Sequence, residues 1–119
     1  MDHTNIYTPH FTTLQEEEYC VIPNILSTEE TSTAKEGFWQ WLEHLSPNIE
    51  RTDPSTYYAN WPHNSHGIIW MYNVGHAQFL WDVRCNQSLI NVFQKYWNDE
   101  DLLVSFDGVC AALPSRIKR

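Results

Sequence analysis

The stretch DLLVSFDGVCAALP, residues 101–114, carries the clearest strand pattern in the chain. Leu102, Val104 and Phe106 alternate with the intervening side chains at a period of two, which is typical of a β-strand. Asp107 and Gly108 then form a turn or bulge signal, and the run VCAAL that follows predicts a second short strand. We therefore expect residues 102–106 and 109–113 to form two strands of an antiparallel sheet.

Two regions upstream of this stretch have helical periodicity. Ser27 and Glu30 fit a capping box, which predicts a helix that begins there and ends near Ser46 and Pro47. One face of this helix is apolar and carries Ala34, Phe38, Trp41, Leu42 and Leu45. Residues 77–97 predict a second helical region, interrupted near residues 85–87, where Asn86 or Ser88 can cap the second part.

These elements predict an α+β fold: a small antiparallel sheet with two main helices packed on one face. Residues 19–22 form an apolar run before Pro23 and predict a third strand, and residues 68–72 are a further strand candidate. Residues 1–15 are polar and turn-rich, which indicates a loosely ordered arm. Residues 16–114 are then a single α+β domain, and residues 115–119 form a basic tail.

Composition narrows the class of protein. At 119 residues the chain is long enough for one domain, and its six Trp predict a Trp-rich core. A net charge of -8 argues against nucleic-acid binding, and the absence of any long apolar run argues against a membrane span. The N-terminus has no signal-peptide pattern, and Cys20, Cys85 and Cys110 do not suggest a disulfide framework. We expect a soluble, intracellular protein in a reducing compartment, with its thiols buried.

Candidates for chemistry are few. His63, His66 and His76 are candidates for a metal site, although an H-x-x-H pair without further ligands at diagnostic spacing is a weak signal. Arg84 beside Cys85 favours a thiolate, but a buried cysteine at a helix end explains the same residues. No G-x-S-x-G sequence and no phosphate-binding glycine loop occurs.

Several short motifs follow one another in a characteristic order: HGI at 66–68, GHAQFLWDVR at 75–84, VF at 92–93, YW at 96–97 and DLLVSFDG at 101–108. This succession resembles the N-terminal half of phytanoyl-CoA dioxygenase-like proteins, which belong to the iron(II) and 2-oxoglutarate-dependent oxygenases. The resemblance extends from about residue 18 to residue 114 and covers about the first half of such a domain. It implies that the fold is the opening portion of a double-stranded β-helix.

The same resemblance decides which functional residues carry over. Enzymes of this class hold iron with an H-x-D pair and a distant histidine, and an arginine holds 2-oxoglutarate. None of the six histidines is followed two residues later by Asp or Glu, so no catalytic, cofactor-binding or metal residue is assigned. Trp81, Arg84, Asp107 and Gly108 match the family signature as structural positions, and we expect Arg84 and Asp107 to form a buried pair.

The expected function is that of a catalytically silent, truncated member of the family that acts through protein contacts. Exposed strand edges would serve a protein partner or self-association. As it stands the chain is not expected to be an enzyme, and no cofactor is expected unless a missing half supplies the iron(II) and 2-oxoglutarate sites. Two alternatives remain: the N-terminal part of an active oxygenase whose triad lies on another segment or chain, and a small His-based metal-binding protein.

Overall fold

The computed structural model describes residues 5–62 and 67–113 and has an α+β architecture. Within these residues there are five α-helices: α1 (Thr8–Glu17), α2 (Thr28–Leu45), α3 (Tyr57–Asn60), α4 (Gln78–Arg84) and α5 (Gln87–Trp97). Strands β1 (Ile68–Ile69) and β2 (Val109–Cys110) form a two-stranded antiparallel sheet in which Ile69 pairs with Val109. The prediction of an α+β fold is confirmed at this level.

Helix α2 begins and ends as its sequence predicts. The Ser27 hydroxyl accepts a hydrogen bond from the Glu30 amide at 3.0 Å, and the Glu30 carboxylate accepts one from the Ser27 amide at 3.0 Å. Both interactions satisfy amides that have no partner inside the helix, so the predicted capping box is confirmed. The helix ends at Leu45, with Ser46 as its C-cap.

The predicted interruption between the later helices is also confirmed. Helix α4 ends at Arg84, and Asn86 caps α5 by accepting a hydrogen bond from the Leu89 amide at 3.2 Å. Asn98 has a left-handed backbone, with φ of 50°, and ends α5. These local signals were readable because a cap involves only residues that are close in sequence.

The strand predictions need correction. Residues 19–22 do not form a strand: Tyr19 and Val21 are exposed, and left-handed residues, Glu18 and Asn24, flank the run. Residues 102–106 form neither a turn nor a bend and pair with no strand in the described chain, and the run 109–113 contributes only β2. The strand candidate at 68–72 is confirmed in part, because β1 is the partner of β2. Strand formation depends on a distant partner, which the local pattern does not reveal.

The proposed arm contains regular structure. Helix α1 occupies residues 8–15 of the proposed arm and continues to Glu17, and no residue of α1 is buried. Phe11 contacts Tyr96 of α5 edge to face, with ring centroids 5.1 Å apart. The domain boundary at residue 15 stays a prediction.

The buried core is small and mostly aliphatic, and it consists of Leu42, Ile49, Ile69, Val74 and Phe79. Phe38 and Trp41 of α2 and Leu80 of α4 pack against the part of this core formed by Ile69, Val74 and Phe79. The prediction of a Trp-rich core is wrong, because no Trp in the described chain is among the buried residues. Trp is too large to be fully buried in so small a core, and its N–H needs a partner: that of Trp61 donates to the Ala111 carbonyl at 2.9 Å.

Gly37 lets α2 and α4 approach each other. A Cβ at this position would lie 2.6 Å from the Cβ of Phe79, which is closer than two carbon atoms can pack. Glycine has a low helix propensity and weakens the middle of α2, but the close contact between α2 and α4 requires it at position 37.

Arg51 binds two carboxylates of α2. Its Nε lies 2.6 Å from Glu43 Oε1, and its Nη1 lies 2.7 Å from Glu36 Oε2. Hydrogen bonds from Arg51 are the main cause that lowers the pKa of Glu36 and of Glu43 below the ordinary carboxyl value. The ion pairs join the end of α2 to the loop that follows it.

This arrangement predicts a pH-dependent stability. Because the pKa of both carboxyls is depressed in the folded state, the unfolded state binds more protons at acidic pH. The stabilisation is fully present above the ordinary glutamate pKa of about 4.3 and is lost as the pH falls through the lower folded-state values. We expect Arg51→Gln to make the acid loss of unfolding free energy shallower in urea titrations, whereas Lys35→Gln, which removes an exposed cation of α2, leaves it unchanged. Identical acid slopes for the Arg51 variant and the wild type would contradict this account.

No helix in the two described segments of the chain is both long enough and apolar enough to cross a membrane.

Candidate functional site

The main candidate site is the unpaired run between α5 and β2, residues 101–107, which we call the edge segment. Its apolar side chains, Leu102, Leu103, Val104 and Phe106, are all exposed, and Leu103 is 98% exposed. The backbone amides and carbonyls of residues 102–106 make no hydrogen bond within the described part of the chain. A strand-like sequence thus forms no turn or bend, makes no backbone hydrogen bond and leaves its apolar side chains exposed.

The N-terminal end of the edge segment is held by the end of α5. The side-chain amide of Gln94 donates to the Glu100 carbonyl at 3.2 Å, and the Asp101 amide donates to the Asp99 carboxylate at 2.9 Å. The left-handed Asn98 redirects the chain out of the helix at this point. The segment therefore leaves α5 in a fixed direction.

The C-terminal end is held by aromatic contacts. The ring of Phe106 meets Trp81 of α4 edge to face, with centroids 5.6 Å apart, and lies 4.8 Å from the ring of His76. A cleft of about 370 Å³ opens beside it, and exposed Trp70, Met71 and Tyr72 contribute to its lining.

Arg84 fixes the same end electrostatically. Its Nη2 lies 2.7 Å from Asp107 Oδ1, its Nη1 donates to the Gly75 carbonyl at 2.7 Å, and its guanidinium lies 5.3 Å from the centre of the Trp81 ring. The predicted pair of Arg84 and Asp107 is confirmed as a contact. The expectation of a buried pair is wrong: the Arg84 side chain is partly buried, at 11% exposed, and that of Asp107 is 69% exposed.

Replacing this arginine tests the anchor. We expect Arg84→Gln to lower the free energy of unfolding by about 1–2 kcal/mol, because it removes charged hydrogen bonds to the Asp107 carboxylate and the Gly75 carbonyl. The effect is modest because the Asp107 carboxylate is exposed to water. Lys95→Gln, which removes an exposed cation of α5, is the matched control and should have little effect. Urea unfolding of both variants measures the difference, and an unchanged Arg84→Gln protein would show that the pair has no structural role.

The four signature residues converge on one place. Trp81 and Arg84 on α4 contact Phe106 and Asp107, and Gly108 follows directly and leads into β2. A Cβ on Gly108 would lie 2.3 Å from the carbonyl oxygen of Ile69, so only glycine permits this approach of the two backbones. Apart from the aromatic density of this region, no sequence pattern indicates that Trp70, Met71 and Tyr72 share this surface.

The histidine candidates are only partly described. His76 is exposed and contacts Phe106, while His63 and His66 lie outside the described residues. Among residues 5–62 and 67–113, no group of three or more His, Cys, Asp or Glu side chains is arranged to hold a metal ion. A metal site that uses His63, His66 and His76 stays a hypothesis.

The cysteines differ from the prediction. Cys85 and Cys110 are exposed and Cys20 is half-buried, so the expectation of buried thiols is wrong. In β2 the side chain of Val109 packs against the core, and the two-residue period turns Cys110 outward. Cys85 caps α4 and lies on the surface at the turn between two helices.

Comparison with known proteins found a relative in a fungus. The chain is 30% identical over 97 residues to Ava biosynthesis cluster protein O of Aspergillus versicolor. The match includes 81% of this chain but 32% of that protein, so the chain spans about a third of the length of the curated relative. No protein-family model matches the chain. No solved structure matches it either.

Proposed function

We propose that this chain is the opening portion of a phytanoyl-CoA dioxygenase-like fold that works through protein contacts and is catalytically silent as it stands. The observation that carries the proposal is the edge segment, which offers exposed apolar side chains together with an unpaired backbone. Unpaired strand-like segments with these two properties are open to strand addition by another polypeptide, as exposed sheet edges are.

The size of the exposed surface supports a role in contacts. The chain exposes 9415 Å² of surface at a mass of 14.1 kDa, whereas a compact monomer of that mass exposes about 6,700 Å². Its radius of gyration is 17.6 Å, compared with about 13.5 Å for a compact domain of this length. This chain therefore covers less of its own surface than a complete domain does.

The oxygenase part of the proposal rests on the signature residues and the missing ligand pair. Trp81, Arg84, Asp107 and Gly108 meet at the end of the edge segment, where they have structural roles. Since the 119 residues contain no H-x-D or H-x-E sequence, they lack the pair with which this class of enzyme holds iron. Iron(II) and 2-oxoglutarate would bind only where another polypeptide segment supplies their ligands. The proposed setting is intracellular and reducing, in keeping with three free cysteines.

A second candidate function is that of the N-terminal part of an active oxygenase. The match to only 32% of the fungal relative favours it, because two thirds of that protein lie outside the aligned part. An H-x-D sequence encoded in frame soon after the codon for Arg119 would support this alternative, and its absence would remove it.

Metal analysis and a turnover assay on the purified chain test the proposal. We expect no tightly held iron and no conversion of 2-oxoglutarate to succinate above a protein-free control when iron(II) and ascorbate are added. Iron-dependent turnover by this chain alone would overturn the proposal. Stoichiometric zinc or iron that resists dialysis, without turnover, would instead favour the His-based metal-binding function.

A further inference from the structure

We propose that the edge segment binds an extended peptide segment of another polypeptide, with apolar side chains at alternate positions and basic residues at its ends, and that this peptide adds to the segment as a β-strand. The inference rests on the proposed contact function and specifies the chemistry of the partner. Backbone pairing, side-chain packing and charge each point to this occupant.

The edge segment is organised for strand addition before any partner arrives. Gln94 and Asp99 hold its beginning, and Phe106 and Arg84 hold its end, while the residues between them form no turn or bend. A segment fixed at both ends loses little conformational freedom when a second strand pairs with it. The unpaired amides and carbonyls of residues 102–106 supply the ladder hydrogen bonds.

The side chains define what the incoming strand must present. In a β-strand, Leu102, Val104 and Phe106 would share one face and Leu103 would lie on the other. In a sheet, directly opposite side chains lie about 5 Å apart and stabilise each other when both are apolar. A partner strand with β-branched or aromatic residues at alternate positions therefore fits the larger face.

The charge at the two ends of the edge segment determines which residues the partner strand must carry at its ends. Asp99, Glu100 and Asp101 form an exposed acidic run at the beginning of the segment, and Asp107 lies exposed at its end. Arg84 is already engaged by Asp107 and the Gly75 carbonyl. Lys or Arg residues at the ends of the partner strand would meet these carboxylates, and acidic residues there would be repelled.

A second copy of this chain fits poorly. Antiparallel self-pairing about Val104 would set Asp101 opposite Asp107 at both ends, and parallel pairing in register would set Asp101 beside Asp101. Each copy also carries a net charge of -8. Like charges opposite one another destabilise a strand pair, so a basic strand from a different polypeptide is favoured.

Synthetic peptides test the inference with the unmodified chain. The first peptide has alternating Val and Thr and Lys at both ends; the second replaces each Lys with Glu; the third keeps Lys but has alternate backbone amides methylated. We expect fluorescence anisotropy to give at least about a tenfold lower Kd for the first peptide than for the second at low salt, with the difference shrinking as salt is added. The third peptide should lose binding, since it keeps the charges but lacks ladder donors.

A charge-reversal variant provides the matched control on the protein side. Asp101→Lys leaves in place the backbone amide that donates to Asp99. It should weaken binding of the Lys peptide and strengthen binding of the Glu peptide. Equal binding of Lys and Glu peptides, or undiminished binding of the methylated peptide, would overturn the inference and leave the contact function standing. Dimerisation of the chain through residues 102–106 without peptide binding would also overturn the inference. Iron-dependent turnover of 2-oxoglutarate would reject the proposed function instead, independently of the peptide results.

Discussion

The variant Gly108→Ala should lower the free energy of unfolding by about 3 kcal/mol, because the added methyl group has no space. It would lie 2.3 Å from the Ile69 carbonyl oxygen and 3.0 Å from the Ile69 carbonyl carbon, and these are backbone atoms that cannot rotate away. The two strands must separate to admit the methyl group. This separation also disrupts part of the packing of Ile69 in the core.

Urea unfolding measures this effect, and Ser105→Ala is a suitable control because Ser105 is exposed in the neighbouring edge segment. The control should change the unfolding free energy by less than about 0.5 kcal/mol. A Gly108→Ala protein as stable as the wild type would show that β1 and β2 do not approach as described, and would remove the structural reason for this glycine.

The variant Leu42→Ala should lower the free energy of unfolding by about 2–5 kcal/mol, since Leu42 is fully buried and its truncation leaves a cavity. The core contains few other buried side chains, so little remains to compensate for the loss. The milder variant Leu42→Val keeps the measurement possible if the alanine variant does not fold.

Leu103→Ala is the matched control for Leu42→Ala, because it removes the same atoms from a side chain that is 98% exposed. We expect it to change the unfolding free energy by less than about 0.5 kcal/mol. A substantial loss in Leu103→Ala would mean that the edge segment packs against the fold, contrary to its assignment as a free contact surface.

The helices were predictable because their signals are local. The capping box of Ser27 and Glu30 and the cap at Asn86 each involve residues three apart, and the apolar face of α2 presents Phe38 and Trp41 to the core. The pairing of Arg84 with Asp107 was likewise suggested by the motifs that carry both residues. Here sequence and structure agree because a helix satisfies its own backbone.

The strands were predictable only as tendencies. Residues 102–106 have the period of a strand and contain no turn or bend, but the pairing that completes a strand requires a neighbour at a distance. Ile68 and Ile69, in the least regular region of the sequence, turned out to be the partner of β2. The same limitation explains why residues 19–22 do not form a strand, although their apolar composition predicts one.

The amount of burial was the least predictable quantity. Six Trp suggested a Trp-rich core, but the buried residues are mainly aliphatic; Trp41 packs against them, whereas Trp70 and Trp97 are exposed. The exposed thiols of Cys85 and Cys110 follow from a turn and from the outward face of β2. Burial depends on how much of the surface other elements cover, and in this chain they cover little of the edge segment.

Amide hydrogen exchange at residues 102–106 tests the central claim most directly. In the free monomeric chain we predict that these amides exchange nearly as fast as those of an unstructured peptide, while the amides in the middle of α2 are protected. Adding the Lys-flanked peptide at saturation should slow the exchange of alternate amides in residues 102–106. Protection of these amides in the free monomer, or no change on adding the peptide, would contradict the assignment of the edge segment as an open strand that awaits a partner.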